Sequence, residues 1–161
     1  NEIINFEKHK FPRQVLKDFL IFPQIVPCVI PKRVKFRKYH KNKISVAADR
    51  SSHLRFGSFG LKSTESGRIT AKQIETVRQT IGRKIRPKGR LWIRSFPHLP
   101  VTAKPSEVRM GKGKGNVKFW VCVVKKGQVL FEVSGVNKAV AFDALKGGGN
   151  KLPLKCKLVS Y

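Results

Sequence analysis

Acidic residues are scarce in this chain: nine Asp and Glu stand against 35 Lys and Arg, a formal net charge of +26 over 161 residues. A protein so one-sided repels itself, and a polyanion is the partner that most directly offsets the repulsion. The few acids are dispersed, and no Ser/His/Asp or Cys/His cluster stands in local sequence. Catalysis by paired carboxylates or an activated nucleophile therefore has little to work with, and no enzyme is expected. Cysteine is nearly missing too. Cys28, Cys122 and Cys156 form no C-x-x-C pair and leave an odd thiol, which argues for reduced thiols in a reducing compartment over a disulfide framework or a zinc site. His9, His40, His53 and His98 have no metal-ligand spacing, so neither metal nor other cofactor is expected. Long apolar runs are also wanting. The richest, VLKDFLIFPQIVPCVIP, is interrupted by Lys17, Asp18, Pro23 and Pro27, short of the ~20 residues a membrane span requires.

What is present is a foldable chain with an uneven charge. Hydrophobic residues make up 40% and charged residues 27%, a globular composition, and the length suits one domain. Residues 1–30 carry Lys8, Lys10, Arg13 and Lys17 against Glu2, Glu7 and Asp18, a net of +1, which leaves +25 beyond them. They read as an appended arm, with a short helix near 13–21 and then an extended segment lying on a neighbour or on its own domain. Residues 31–161 read as the polyanion-binding domain.

That domain opens with PKRVKFRKYHKNK, residues 31–43. Six of the ten residues from Lys32 to Lys41 are basic, none is acidic, and Phe36 and Tyr39 are interleaved. Cations with spaced aromatics offer phosphate neutralisation together with stacking surface, and His40 joins that surface. HLRFGSFGLKS alternates as a strand. Thr70 then caps a helix with Ile74, Val77, Ile81 and Ile85 on one face, which Pro87 ends. GRLWIRSFP predicts a strand, and HLPVTAKPSEV an extended connection. VKFWVCVV and QVLFEVSGV predict a hairpin about a turn at Lys125–Gly127. NKAVAFDALKGGGN predicts a helix with Val140, Ala141, Ala144 and Leu145 inward, marginal at Gly147–Gly149. LPLKCKLVSY closes as a strand with Leu154, Cys156 and Leu158 on one side. The order β-α-β-β-β-α-β makes an α+β fold.

Between the connection and the hairpin lies VRMGKGKGN, residues 108–116. It is not the phosphate loop of nucleoside-triphosphate enzymes. From Gly111, Asn116 stands where the second glycine should be, no Ser or Thr follows either lysine, and a strand rather than a helix comes next. Glycine does let a backbone approach a ligand with no Cβ in the way. Arg109, Lys112 and Lys114 then neutralise phosphates, Arg as a fork and Lys as a point charge.

PKRVKFRKYHK, FGSFGLK, GRITAKQIETVRQTI, KGRLWIRSFPHLPVTAKPSEVRMGKGKGN and KLPLKCKLV, in that order, resemble the bacterial-type large-subunit ribosomal protein sixteen family, related to the archaeal and eukaryotic L-ten-e proteins. The likeness covers about residues 31–161, and its most specific motifs are Lys88–Arg94 around Trp92 and Arg109–Gly115. The resemblance implies an α+β, hammerhead-like fold with two helices on a mostly antiparallel sheet. It implies a non-enzymatic constituent of the large ribosomal subunit that binds large-subunit rRNA and supports tRNA positioning and late subunit assembly. The rRNA-binding residues it points to are Lys32, Arg33, Lys35, Phe36, Arg37, Lys38, His40, Lys41, Arg55 and Lys62. The loop facing tRNA and the peptidyl-transferase region is Arg109, Met110, Gly111, Lys112, Gly113, Lys114 and Gly115. Expected partners are large-subunit rRNA, A-site tRNA with P-site tRNA as a further contact, and neighbouring large-subunit proteins, with no membrane span and no homo-oligomer. Residues 1–30 precede the usual start of the family, Ser95 replaces a usually apolar residue, and KISVAADRSSHL departs from a more basic stretch. An arm with local drift points to a mitochondrial ribosome in the matrix, with plastid or bacterial cytoplasm as the alternative. The runner-up function is an extra-ribosomal RNA-binding or peripheral membrane-surface protein using the same basic domain.

Overall fold

The computed structural model describes residues 30–44, 48 and 51–161; the helix expected near 13–21 lies outside them. The elements are β1 (Phe59–Ser63), β2 (Gly67–Thr70), α1 (Ala71–Ile85), β3 (Arg90–Ile93), β4 (Leu99–Ala103), β5 (Asn116–Val124), β6 (Val129–Ser134), α2 (Lys138–Gly149) and β7 (Cys156–Ser160). Among the described residues all strand pairs are antiparallel, and two helices complete the expected α+β fold. The strands divide between two sheets, ordered β3-β6-β1-β7 and β2-β5-β4.

That division overturns the expected hairpin. The turn at Lys125–Gly127 exists, with the Gln128 N–H donating to the Lys125 carbonyl, yet β5 and β6 do not pair with each other. β1 pairs with β6 from Phe59↔Val133, and β2 pairs with β5 to Thr70↔Val121. Residues 59–70 and 121–133 are thus one long antiparallel ribbon, bent where Gly127 takes φ +84°. Ser63 holds the bend, its N–H on the Gln128 carbonyl and its carbonyl on the Gly127 N–H. The hairpin that does form is β4–β5, with Leu99↔Val121 and Ala103↔Asn116 in register. HLPVTAKPSEV is therefore partly a strand; Pro100 is tolerated because β4 lies at a sheet edge, where one N–H needs no partner.

α1 follows its sequence closely. The Gln73 N–H donates to Thr70 Oγ1 at 3.3 Å and the Thr70 N–H to Gln73 Oε1 at 2.9 Å, a reciprocal capping box. Ile74, Val77, Ile81 and Ile85 are buried, each contributing about 1.5–3 kcal/mol relative to exposure. They meet Leu61, Phe131 and Val133 of one sheet, Ile69, Cys122 and Val124 of the other, and Ala141, Ala144 and Leu145 of α2, so one core serves both sheets.

α2 corrects two expectations. Val140 is exposed, and Gly148 takes its place in the buried stripe. The three glycines do not end the helix, and Gly148 lets it approach α1. A Cβ on Gly148 would stand 2.8 Å from Ile81 Cγ1 and 3.1 Å from Val77 Cγ1, so packing overrides propensity here.

The strand expected over 53–63 begins only at Phe59, for a reason found on β6. Glu132 is fully buried, and its carboxylate accepts from the backbone N–H groups of Arg55, Phe56 and Gly57. Those donors go to a side chain instead of a ladder. Arg94 Nη1 closes the cluster at 2.6 Å and also donates to the His53 carbonyl. Burial alone would raise the Glu132 pKa; the Gly57 and Phe56 N–H groups, Arg94 and the Arg55 N–H outweigh it and hold the carboxyl below its ordinary value. Cys122 and Cys156 are unpaired, and burial pushes both thiols up to about 11, which suppresses thiolate chemistry at neutral pH.

Candidate nucleic-acid interface

The glycine–lysine loop is the tip of the β4–β5 hairpin. Ala103 pairs with Asn116, so the two ends of residues 104–115 leave the sheet side by side. Gly115 makes that closure possible: a Cβ there would meet the Ala103 carbonyl, with its carbon at 2.6 Å, and the Lys104 nitrogen at 2.9 Å. Gly111, Lys112 and Gly113 have φ of +95°, +51° and +83°, three successive left-handed residues that curl the tip. Open space surrounds Gly111 and Gly113, so glycine is needed there for its backbone freedom alone. Lys112 adopts the same conformation with a side chain, at a cost of about 1–2 kcal/mol. Lys104 Nζ donates to the Gly111 carbonyl and spans the loop. Arg109, Met110 and Lys112 stand outward, Met110 at 98% exposure, and neither cation has an ion pair among the described residues.

The basic segment 32–41 folds against this loop without regular structure of its own. Lys38 Nζ donates to the Lys114 carbonyl at 2.8 Å, and Lys114 Nζ donates to the Tyr39 carbonyl at 2.7 Å. Arg68 of β2 ties down the far end through the Asn42 carbonyl at 3.0 Å. Two stretches some seventy residues apart in sequence thus form one cationic surface beside the three-stranded sheet. Lys32, Arg33, Lys35, Phe36, Arg37, Lys38, His40 and Lys41 are exposed on it, and Lys35 Nζ sits 5.5 Å from the Phe36 ring centroid. Lys114 belongs to the seam of this surface rather than to the free tip.

Arg55 and Lys62 are placed elsewhere. The Arg55 side chain is exposed beside the Glu132 cluster. Lys62 lies on β1 opposite Lys157 of β7, and with Lys126 they line an open groove on the four-stranded sheet. Like charges facing across a ladder destabilise it unless an anion joins them, so these three lysines form a second basic patch. Lys104, Arg68, Lys126 and Lys157 join these surfaces through neighbours distant in sequence, which no local pattern signals. Glu132 had a signal: a single acid inside the apolar run VLFEV of an acid-poor chain. Among the described residues there is no metal-binding group of His, Cys, Asp or Glu, and no helix long and apolar enough to cross a membrane.

Residues 31–159 match the family described as ribosomal protein L16p/L10e. The chain is 54% identical over 129 residues to large ribosomal subunit protein uL16 of Chelativorans sp., covering 80% of this chain and 94% of the relative. It is 53% identical over 130 residues to the protein of that name from Maricaulis maris, with 81% and 95% covered. The counterpart from Leptospira biflexa is 52% identical over 129 residues, with 80% and 94% covered. The chain belongs to the ribosomal protein L16p/L10e family.

Proposed function

We propose that this chain is a structural, non-enzymatic constituent of the large ribosomal subunit in translation, bound to large-subunit rRNA through the surface formed by residues 32–41 and their seam with Lys114. Family membership supports the ribosomal role. The observation that carries the binding surface is the reciprocal lacing of Lys38 and Lys114 onto main-chain carbonyls, which gathers cations with no acid to neutralise them. The free tip, Arg109 to Gly113, faces tRNA on the A-site side and toward the peptidyl-transferase region, and the protein supports tRNA positioning and late subunit assembly. Residues 1–30 fall outside the 31–159 match and form an arm that docks on rRNA or a neighbouring protein; this supports a mitochondrial ribosome, with plastid or bacterial cytoplasm as the alternative.

Phosphate neutralisation should dominate affinity. With ~6–10 phosphates contacted, binding to rRNA should weaken about 10³–10⁵-fold between ~50 and ~200 mM salt. Neutralising Lys32, Arg33, Lys35 and Arg37 should reduce incorporation into the subunit. Neutralising Arg109 and Lys112 should leave incorporation intact and slow A-site tRNA accommodation. Salt-insensitive binding, or failure of the chain to co-sediment stoichiometrically with the subunit, would overturn the reading.

A further inference from the structure

The four-stranded sheet has one face against the helices and one turned away from them. Leu61, Phe131 and Val133, with Leu91 and Ile93 packed beside them, face the core. Strand alternation turns Arg90, Trp92 and Arg94 to the opposite side. There Phe56 stacks on Trp92, ring centroids 6.4 Å apart and planes 19° apart, while Phe56 remains 60% exposed.

An aromatic ring so open to water adds little to the fold, yet its backbone is fastened to a fully buried carboxylate. The Phe56 N–H donates to Glu132 Oε2 at 2.7 Å and its neighbour Gly57 at 2.8 Å. Glu132 is in turn clamped by Arg94. A buried ion pair thus supports an exposed stack, the arrangement of a pre-organised contact. The rim is cationic: Arg55 and Arg90 are both exposed, and neither makes an ion pair among the described residues.

We propose that the Phe56–Trp92 stack is a platform for an unpaired nucleobase of the large-subunit rRNA, with Arg55 and Arg90 taking the flanking phosphates. An aromatic face accepts any base, and adjacent guanidinium groups match the phosphates that every nucleotide carries. Charge complementarity decides against an apolar protein segment, which would leave this cationic rim unanswered. The platform rests on the ribosomal reading above and adds to it a contact of another kind, on the other sheet from the glycine–lysine loop.

The test uses the full chain and purified large-subunit rRNA in filter binding across a salt series. Phe56→Ala should weaken binding about 5- to 150-fold while leaving the salt dependence unchanged, because no phosphate contact is removed. Phe56→Tyr should bind as the unsubstituted chain does, and Phe56→Leu should fail as Ala does, since it keeps apolar area without a stacking face. Ultraviolet crosslinking of the unsubstituted chain provides a readout that needs no variant, and an adduct on Phe56 or Trp92 is expected. Undiminished binding by Phe56→Ala, full binding by Phe56→Leu, or no adduct at either ring would each overturn the platform. Absence of salt-dependent binding by the unsubstituted chain would overturn the parent reading, and the platform with it.

Discussion

Replacing Glu132 by Gln keeps the side chain's size and removes its charge at the point where segment 53–57 is fastened to the sheet. Oε1 accepts from Arg94 at 2.6 Å, and Oε2 accepts from Phe56 at 2.7 Å and Gly57 at 2.8 Å, with the Arg55 N–H shared at 3.2–3.3 Å. Glutamine has one acceptor oxygen, so its NH₂ must face either Arg94 or the Phe56 and Gly57 N–H groups, donor against donor. Hydrogen bonds to a charged group contribute about 1.5–3 kcal/mol each, and breaking a buried pair costs about 3–5 kcal/mol. These contacts share one site and do not add, so we expect a loss of about 3–5 kcal/mol. For a chain of this length that corresponds to a fall in Tm of roughly 6–20 °C. Urea and thermal unfolding followed by Trp fluorescence measure it, and a loss below about 1 kcal/mol would refute the account of the cluster. The pH dependence has a definite sign. The folded carboxyl titrates below its ordinary value, so the unfolded chain takes up the proton first. The stabilisation is complete above the unfolded value of about 4.3 and disappears as pH falls through the folded one. Glu132→Gln should therefore flatten the acid limb of the stability profile.

The α2 glycines should respond in opposite ways. Gly148→Ala forces a methyl against Ile81 and should destabilise by about 1–3 kcal/mol. Gly147→Ala meets Lys84 Nζ at 3.5 Å and Thr80 Cγ2 at 3.8 Å, both ordinary contacts, and should stabilise by about 0.5–1 kcal/mol; urea midpoints measure both. Ser95 is 3% exposed and its Oγ has no hydrogen-bond partner among the described residues. Ser95→Ala should raise stability by about 1 kcal/mol or more, seen as a higher Tm, and a fall would show that the hydroxyl is satisfied.

Elements governed by local chemistry were legible in the sequence. Thr70, its box partner Gln73 and the four-residue apolar face of α1 all lie within fifteen residues of one another, so cap, face and extent could be read together. The inward Cys156 and Leu158 of the last strand, and Leu154 just ahead of it, followed from simple alternation. What failed depended on partners distant in sequence. Lys125–Gly127 has the composition of a hairpin turn, and only the presence of β1 and β2 alongside turns it into a bend in a longer ribbon. The glycines of α2 read as helix breakers until Ile81 and Val77 are set beside them. The site divided in the same way: the cations of 32–41 and 109–115 were visible as clusters, but nothing local said that Lys38 and Lys114 would join them. Lys62 turned out to lie on the other sheet, and Arg55 in the segment that Glu132 fastens to it.

The choice of acceptor in that seam explains how so basic a surface is held together. An acid facing Lys38 or Lys114 would fix the loop at least as firmly, since a charge-assisted hydrogen bond is stronger than one to a neutral carbonyl. It would also cancel the charge that a phosphate needs to find. Four acids are paired away from the seam, Glu75 with Arg78, Asp143 with Lys84, Glu132 with Arg94 and Glu65 with Lys155, and Glu107 of the loop makes no ion pair among the described residues. A main-chain carbonyl positions an ammonium group and leaves its unit charge intact. Lys38, Lys114 and Lys104 each bind one, so the two segments are drawn together while every cation remains available to the RNA. On the proposed reading, the mutual repulsion that results is offset by phosphates entering between the lysines, the same charges that the carbonyl seam leaves unneutralised.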